Sequence, residues 1–179
     1  LLGRHNAMNA LQALAVAEAL GEDIAQIAER LGQARGPVGR LEVVSQSPTV
    51  LVDFAHTDGA LEAVLCSLGE VKAGRIIVVV GCGGDRDRTK RPRMARVASN
   101  FADLVWLTSD NPRTEDPQAI LDDMLGGVAR EHLPCLHVQP DRSLAIAEAI
   151  AEAKQDDIVL IAGKGHERYQ LMNGQSIPF

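Results

Sequence analysis

Arg75-Ile76-Ile77-Val78-Val79-Val80-Gly81-Cys82-Gly83-Gly84 sets five β-branched aliphatic residues side by side and then stops them with glycine. A run with no polar alternation describes a strand covered on both faces, the situation of a central strand in a parallel sheet. The glycines after Val80 let the backbone approach a ligand closely. Outward from this run the hydrophobic period keeps switching. Residues 41–44 and 50–53 read as strands and 58–71 as a helix; downstream come a helix at 90–101, a strand at 104–107, a helix at 117–130, a strand at 135–138, a helix at 143–154 and a strand at 157–162. Strands alternating with helices imply right-handed βαβ units, and so an α/β chain with a doubly wound, mostly parallel, Rossmann-like sheet. Residues 169–179 read as a hairpin on the sheet edge.

The first residues differ in character. Met8, Leu11, Leu14 and Ala15 recur at helical spacing over 6–20, Gly21 stops that helix, and 24–31 reads as a second one. Gly32, Gly36, Pro37 and Gly39 make 32–39 the best linker, so residues 1–35 are assigned to the end of one domain and 36–179 to another. The chain begins without Met and ends just past a turn-like Asn173-Gly174, and it reads as a piece of a longer protein. Its 179 residues suffice for a proper core, and no apolar run reaches membrane-spanning length. A formal net charge of −6 gives no global reason to bind nucleic acid or an anionic membrane, so anionic ligands must be held locally. Cys66, Cys82 and Cys135 are odd in number and lack C-x-x-C spacing, which suits a reducing cytoplasm.

In an open α/β sheet, ligands bind beyond the carboxyl ends of the strands, and here those ends carry unusual polar sequences. Thr108-Ser109-Asp110-Asn111-Pro112-Arg113 follows one strand. Pro112 stiffens the turn and directs its neighbours. An acid, an amide and a guanidinium held together could grip an amino-acid zwitterion, with Arg113 forking onto a carboxylate; a strand-to-helix loop with Asx-type bonds fits equally well. Residues 85–96 hold Arg86, Arg88, Lys90, Arg91, Arg93 and Arg96 near a helix start, where anions are favoured. Arg93 and Arg96 read as a solvated face. Because Arg86 stands at the third glycine position of G-x-G-x-x-G, a nicotinamide reading fits poorly. Ala162-Gly163-Lys164-Gly165-His166-Glu167 lacks the full phosphate-loop pattern; Glu167 could meet a substrate ammonium, and His166 reads as structural. Asp53 ends a strand and could accept ribose hydroxyls or cap a helix, a task to which Thr57 is equally suited.

Six motifs in fixed order carry a resemblance: Gly3-Arg4-His5-Asn6 with Asn9, Gly39-Arg40-Leu41-Glu42, Asp53-Phe54-Ala55-His56-Thr57, Gly81 to Asp87, Asp110-Asn111-Pro112-Arg113, and Gly163-Lys164-Gly165-His166-Glu167. Together they closely resemble the Mur ligases, and among them the diaminopimelate-adding branch, over essentially the whole chain. The resemblance implies the family's C-terminal amino-acid-binding domain, preceded by the last helices of its central ATPase domain. It also implies an ATP- and Mg2+-dependent amide ligase of peptidoglycan synthesis, acting through an acyl phosphate. The partners implied are a UDP-N-acetylmuramoyl dipeptide, meso-diaminopimelate and ATP, with no nucleic acid or membrane, in a monomer. Carried onto matching positions, Asn6, Asn9, Arg40 and Asp53 become nucleotide contacts. Arg86, Asp110, Asn111, Pro112, Arg113, Gly163 and Glu167 become the diaminopimelate site, with Arg113 as the residue that discriminates against lysine. Asp58-Gly59 departs from the family's proline-containing turn. The family's phosphate loop, most of its magnesium ligands and its uridine-binding domain lie upstream of these motifs, so this stretch is expected to be inactive alone. The alternative from another class is a non-catalytic module that binds a nucleotide or an amino acid.

Overall fold

The computed structural model describes residues 4–34 and 36–178. Gly3 of the first motif, Arg35 of the linker and Phe179 at the end of the tail lie outside them. The chain divides into two compact units, Leu1–Pro37 and Val38–Phe179. The first holds α1 (Arg4–Ala19) and α2 (Ile24–Gln33). Gly21 turns the chain at φ 78°, and the Asp23 carboxylate accepts from the backbone N–H groups of Ala25 and Gln26 to start α2.

The second unit begins with β1 (Glu42–Gln46) and β2 (Thr49–Asp53), followed by α3 (Asp58–Gly69) and β3 (Ile76–Val80). Then come α4 (Lys90–Phe101), β4 (Leu104–Leu107), α5 (Pro117–Leu125), a 3-10 turn at Arg130–Cys135 and β5 (Leu136–Val138). It closes with α6 (Arg142–Glu152), β6 (Ile158–Ala162), β7 (Tyr169–Met172) and β8 (Gln175–Pro178). The main sheet has the order β1-β2-β6-β3-β4-β5, and only β1 runs antiparallel to its neighbour. Every residue of β3 is buried, as its unbroken aliphatic run requires. Ile77 and Val79 pack with Val50, Val159 and Trp106 against Ala145 and Ala149 of α6. By the two-residue period of a strand, Ile76, Val78 and Val80 project to the other face, where α3 packs on α4 and α4 on α5. Leu61, Leu65, Met94 and Leu121 supply the apolar stripes of those helices. Helices therefore cover both faces, the doubly wound arrangement.

Three elements differ from their sequence expectations. The helix begun by Pro117 stops at Leu125, because Gly126 follows and Gly127 lies so close to the Pro92 carbonyl that the position has no room for a Cβ. The first strand starts after Leu41, which takes φ 46°. The tail hairpin is not an edge of the main sheet: β7 and β8 form a separate two-stranded sheet, joined by a bridge between Met172 and Arg113.

Two ion-pair groups tie the layers. Arg75, at the start of β3, donates through Nε and Nη2 to Asp157 just before β6, at 3.0 and 2.8 Å. Arg91 is fully buried and reaches Glu115 at 2.7 Å and Asp123 at 2.9 Å, linking α4 to α5. Hydrogen bonding from Arg91, then from the Asp85 N–H, holds the Glu115 carboxyl down at about 2. Burial of Asp157 favours its neutral form, but the hydrogen bonds from Arg75 and the Lys154 N–H outweigh it and bring that carboxyl to about 2. Both values lie below the ordinary ones of 4.5 and 3.8, so both groups stabilise the fold fully above the ordinary values, and that contribution is lost as pH falls toward 2. The urea midpoint should therefore stay level down to about pH 4.5 and fall steeply below it. Glu115→Gln should lower the neutral-pH midpoint and flatten the acid limb, and an acid limb of unchanged steepness in that variant would remove Glu115 from the account.

Candidate functional site

Strand register brings the polar motifs to one rim. Asp53 pairs with Ala162 and Val80 with Leu107, so β2, β6, β3 and β4 end level with one another. The loops that follow enclose a cleft of about 470 Å³. Arg86, Asp110, Asn111, Arg113, Gly163 and Glu167 all line it. Pro112 does not: it is buried behind the cleft wall, where its carbonyl fills the space beside Gly84. Its ring shapes the turn while Asn111 and Arg113 on either side line the cleft.

The 81–84 and 108–113 loops are joined through the backbone. The Thr108 N–H donates to the Val80 carbonyl at 3.0 Å and the Gly84 N–H to the Asn111 carbonyl at 2.9 Å. Gly81 also sits so close to the Thr108 carbonyl that a Cβ would collide with it. Arg113 takes the left-handed φ of 57°, and β7 holds it there: its N–H donates to the Leu171 carbonyl at 2.8 Å and its carbonyl accepts from Asn173 at 2.6 Å. Its guanidinium donates through Nη1 to the Gly84 carbonyl at 2.7 Å and to the Asn111 carbonyl at 3.4 Å. Among the described residues Nη2 makes no hydrogen bond, so one edge of the fork remains for a carboxylate in the cleft. Arg86, also on the lining, is exposed, and its Nη1 donates to the Asp85 carbonyl at 3.1 Å.

The same lining holds an acid and amide group. Asn111 Nδ2 donates to Glu167 Oε2 at 3.1 Å, and Asn111 Oδ1 accepts from Lys164 Nζ at 2.8 Å and from the Leu171 N–H at 2.9 Å. Lys164 Nζ lies 3.2 Å from Glu167 Oε2 and 3.8 Å from Asp110 Oδ1. Burial disfavours the charged form of Glu167, but Asn111 and Lys164 overcome that and hold its carboxyl below the ordinary value, so it is ionised at neutral pH. Burial also pushes Lys164 below the ordinary lysine value, with Asp110 and Glu167 opposing it. Gly163, at φ 109°, passes so near Asp110 that a Cβ would lie 2.9 Å from Oδ2. The cleft therefore has a cationic wall of Arg113 and Arg86 and an anionic wall of Asp110 and Glu167, charges of both signs able to hold the two charges of an amino acid.

The residues assigned to a nucleotide are distributed over both units. In the first, Asn6 is buried and lines a cavity of about 350 Å³ between α1 and α2, whereas Asn9 is exposed. In the second, Arg40 is exposed and lies over the Phe54 ring at 4.7 Å. Asp53 accepts from the N–H groups of Leu41 and Ala55, both at 2.8 Å, and so shapes the turn on either side of it. Each oxygen keeps a second lone pair for a hydroxyl. Capping of α3 is done by Thr57, which accepts from Ala60 at 3.3 Å.

Sequence reasoning missed three groups. Lys164 has the role just described. Arg142 is fully buried beneath the rim and donates to the Ala162 carbonyl at 2.9 Å and the Ser109 carbonyl at 3.4 Å, tying the ends of β6 and β4. Gln170 of β7 donates to the Asp110 carbonyl at 2.8 Å. Of the basic run, Arg91 belongs to the α4–α5 pairing, and Arg93 and Arg96 are exposed as expected. His166 is exposed and stacks with Phe54 at a ring separation of 6.1 Å. Burial pushes the Cys82 thiol up to about 12, which removes it as a nucleophile.

Comparison with known proteins places the fold in a family. Residues 39–165 match the family model described as Mur ligase, glutamate ligase domain. Over 186 aligned residues the chain is 49% identical to the UDP-N-acetylmuramoyl-L-alanyl-D-glutamate--2,6-diaminopimelate ligase of Parasynechococcus marenigrum, covering 100% of this chain and 37% of that one. A solved structure of a ligase of the same name superposes with a TM-score of 0.78 at 43% identity, over 100% of this chain and 37% of that one. The Mycobacterium tuberculosis folylpolyglutamate synthase solved with ADP and AMPPCP superposes with a TM-score of 0.67 at 26% identity, over 91% of this chain and 38% of the other. The chain thus spans about 37% of the length of the curated relatives it matches.

Proposed function

The chain belongs to the Mur ligase family, and from that premise we propose that it supplies the amino-acid-binding part of an ATP-dependent ligase that joins meso-diaminopimelate to UDP-N-acetylmuramoyl-L-alanyl-D-glutamate. One observation carries the reading: Arg113 and Arg86 line a single cleft together with Asp110, Asn111 and Glu167. One amino-acid end of diaminopimelate fits between these walls, its carboxylate on the free edge of Arg113 and its ammonium on Glu167 and Asp110. The remaining amine then points out of the cleft as the nucleophile. Holding it against an electrophile replaces a rare bimolecular encounter with a positioned one.

ATP, in this reading, converts the dipeptide's terminal carboxyl to an acyl phosphate, whose phosphate leaves as the amine attacks and loses a proton. Arg40 and Asp53 of the second unit and Asn6 and Asn9 of the first are the groups offered to the nucleotide. The second lone pairs of Asp53 fit a pair of ribose hydroxyls, and Arg40, already stacked on Phe54, fits a nucleotide base or phosphate. The described residues contain no group of three or more His, Cys, Asp or Glu able to hold a metal ion. Among the described residues no helix is long and apolar enough to cross a membrane.

The substrate assignment is tested by calorimetric titration of meso-diaminopimelate and L-lysine. Held with its α-amine outward as the nucleophile, lysine has no second carboxylate and leaves Arg113 unpaired in the cleft, so it should bind at least about tenfold more weakly. Equal affinity for the two would overturn the assignment.

A further inference from the structure

We infer that Lys164 is a positioning residue of the amino-acid site: its buried ammonium locks Asn111 and Glu167 to the tail hairpin, so that one amide donor and one carboxylate oxygen are aimed at the substrate amino-acid end. The inference rests on the proposed diaminopimelate reading and goes beyond it, because Lys164 is 3% exposed and does not line the cleft.

Three contacts carry it. Lys164 Nζ donates to Asn111 Oδ1 at 2.8 Å, to Glu167 Oε2 at 3.2 Å and to the Tyr169 carbonyl at 2.7 Å. The first, with the Leu171 N–H at 2.9 Å on the same oxygen, fixes which end of the Asn111 amide is which, since only the oxygen can accept from both. Asn111 therefore presents Nδ2 toward Glu167 and the cleft, as a donor. The second contact and the Asn111 bond both fall on Oε2 of Glu167. Oε1 is thereby turned away from the lysine and left for a ligand ammonium. The third anchors the cluster to β7, the element that also fixes Arg113 through Leu171.

A buried lysine costs desolvation energy, and here burial does lower its proton affinity, opposed by Asp110 and Glu167. Arg142, fully buried, also bears on this group of charges. An apolar residue of similar length would avoid that cost, so stability alone gives no reason for a lysine at this position. Orientation of the two cleft-facing groups does.

The test uses the full-length ligase and three ligands: meso-diaminopimelate, ATP and 2-aminopimelate, which keeps both carboxylates and lacks one amine. The wild type is measured first, and failure to use meso-diaminopimelate there would reject the functional reading without involving Lys164. In Lys164→Met the KM for meso-diaminopimelate should rise at least about tenfold, with the KM for ATP within about twofold. The wild-type preference for meso-diaminopimelate over 2-aminopimelate should shrink by a similar factor, because the amine contact is the one that loses its aim. Lys164→Gln keeps a donor for the Tyr169 carbonyl and serves if the methionine variant does not fold; it should show the same pattern, weaker. An unchanged preference, or equal rises in both KM values, would overturn the inference and leave Lys164 a structural residue.

Discussion

Arg113→Ala is expected to weaken meso-diaminopimelate binding by at least about tenfold, roughly 1.4 kcal/mol, while ATP binding changes by less than about twofold. The asymmetry follows from geometry. The Arg113 side chain lines the cleft and, among the described residues, uses only Nη1, which ties it to the loop after β3. The groups offered to the nucleotide in this unit, Arg40 and Asp53, are held by Phe54 and by the turn after β2 and do not themselves line that cleft. Alanine also removes the bond to the Gly84 carbonyl, so Arg113→Lys is the companion variant. It keeps the charge without the two-pronged fork and should fall between wild type and alanine. If alanine weakens both ligands equally, Arg113 serves the fold of the rim and not the substrate.

Gly163→Ala should damage both the fold of the second unit and its cleft. At φ 109° an L side chain is strained, and the added Cβ would press on Asp110 Oδ2 at 2.9 Å. The strain alone is of order 1–3 kcal/mol. Relief of the contact must displace Asp110, which belongs to the anionic wall. We expect a fall in the denaturant midpoint together with loss of meso-diaminopimelate binding by more than about tenfold, and the two should move together. By contrast Gly59→Ala, in open space on α3, should leave binding unaltered and not lower stability. Normal binding in Gly163→Ala would mean that Asp110 can move without consequence and is not part of the clamp.

The contrast between what the sequence foretells and what it hides is physical. β3 is legible because a strand covered on both faces has no option but an unbroken aliphatic run, and the parallel sheet follows from it. The six expected site residues that line the cleft are legible because each lies within about six positions of a strand end, and parallel topology sends those ends to one rim. Arg142 is hidden: it follows Asp141, the cap of α6, and has the pattern of a solvated first-turn charge. Its burial arises from α6 settling over the ends of β4 and β6, which local sequence does not encode. Lys164 is hidden for a similar reason, since β7 folds over it from five residues downstream. Arg91 carried a usable signal, because it shares a helical face with Met94, Ala95 and Ala98, all buried. That spacing separates it from the exposed arginines of the same run.

The left-handed backbone of Arg113 belongs to the same class of hidden features. Pro112 suggests a turn, but the direction in which Arg113 leaves it is set by Leu171 and Asn173 of the hairpin. The hairpin lies beyond the matched family stretch, which ends at residue 165, and so does Glu167. Part of the proposed amino-acid site therefore lies outside that matched stretch.

The most direct measurement is release of ADP by the full-length ligase with UDP-N-acetylmuramoyl-L-alanyl-D-glutamate present and the amino acid varied. The account predicts release that depends on meso-diaminopimelate, with L-lysine poorer by at least about tenfold in kcat/KM. Equal rates with lysine, or release that ignores the amino acid altogether, would contradict it.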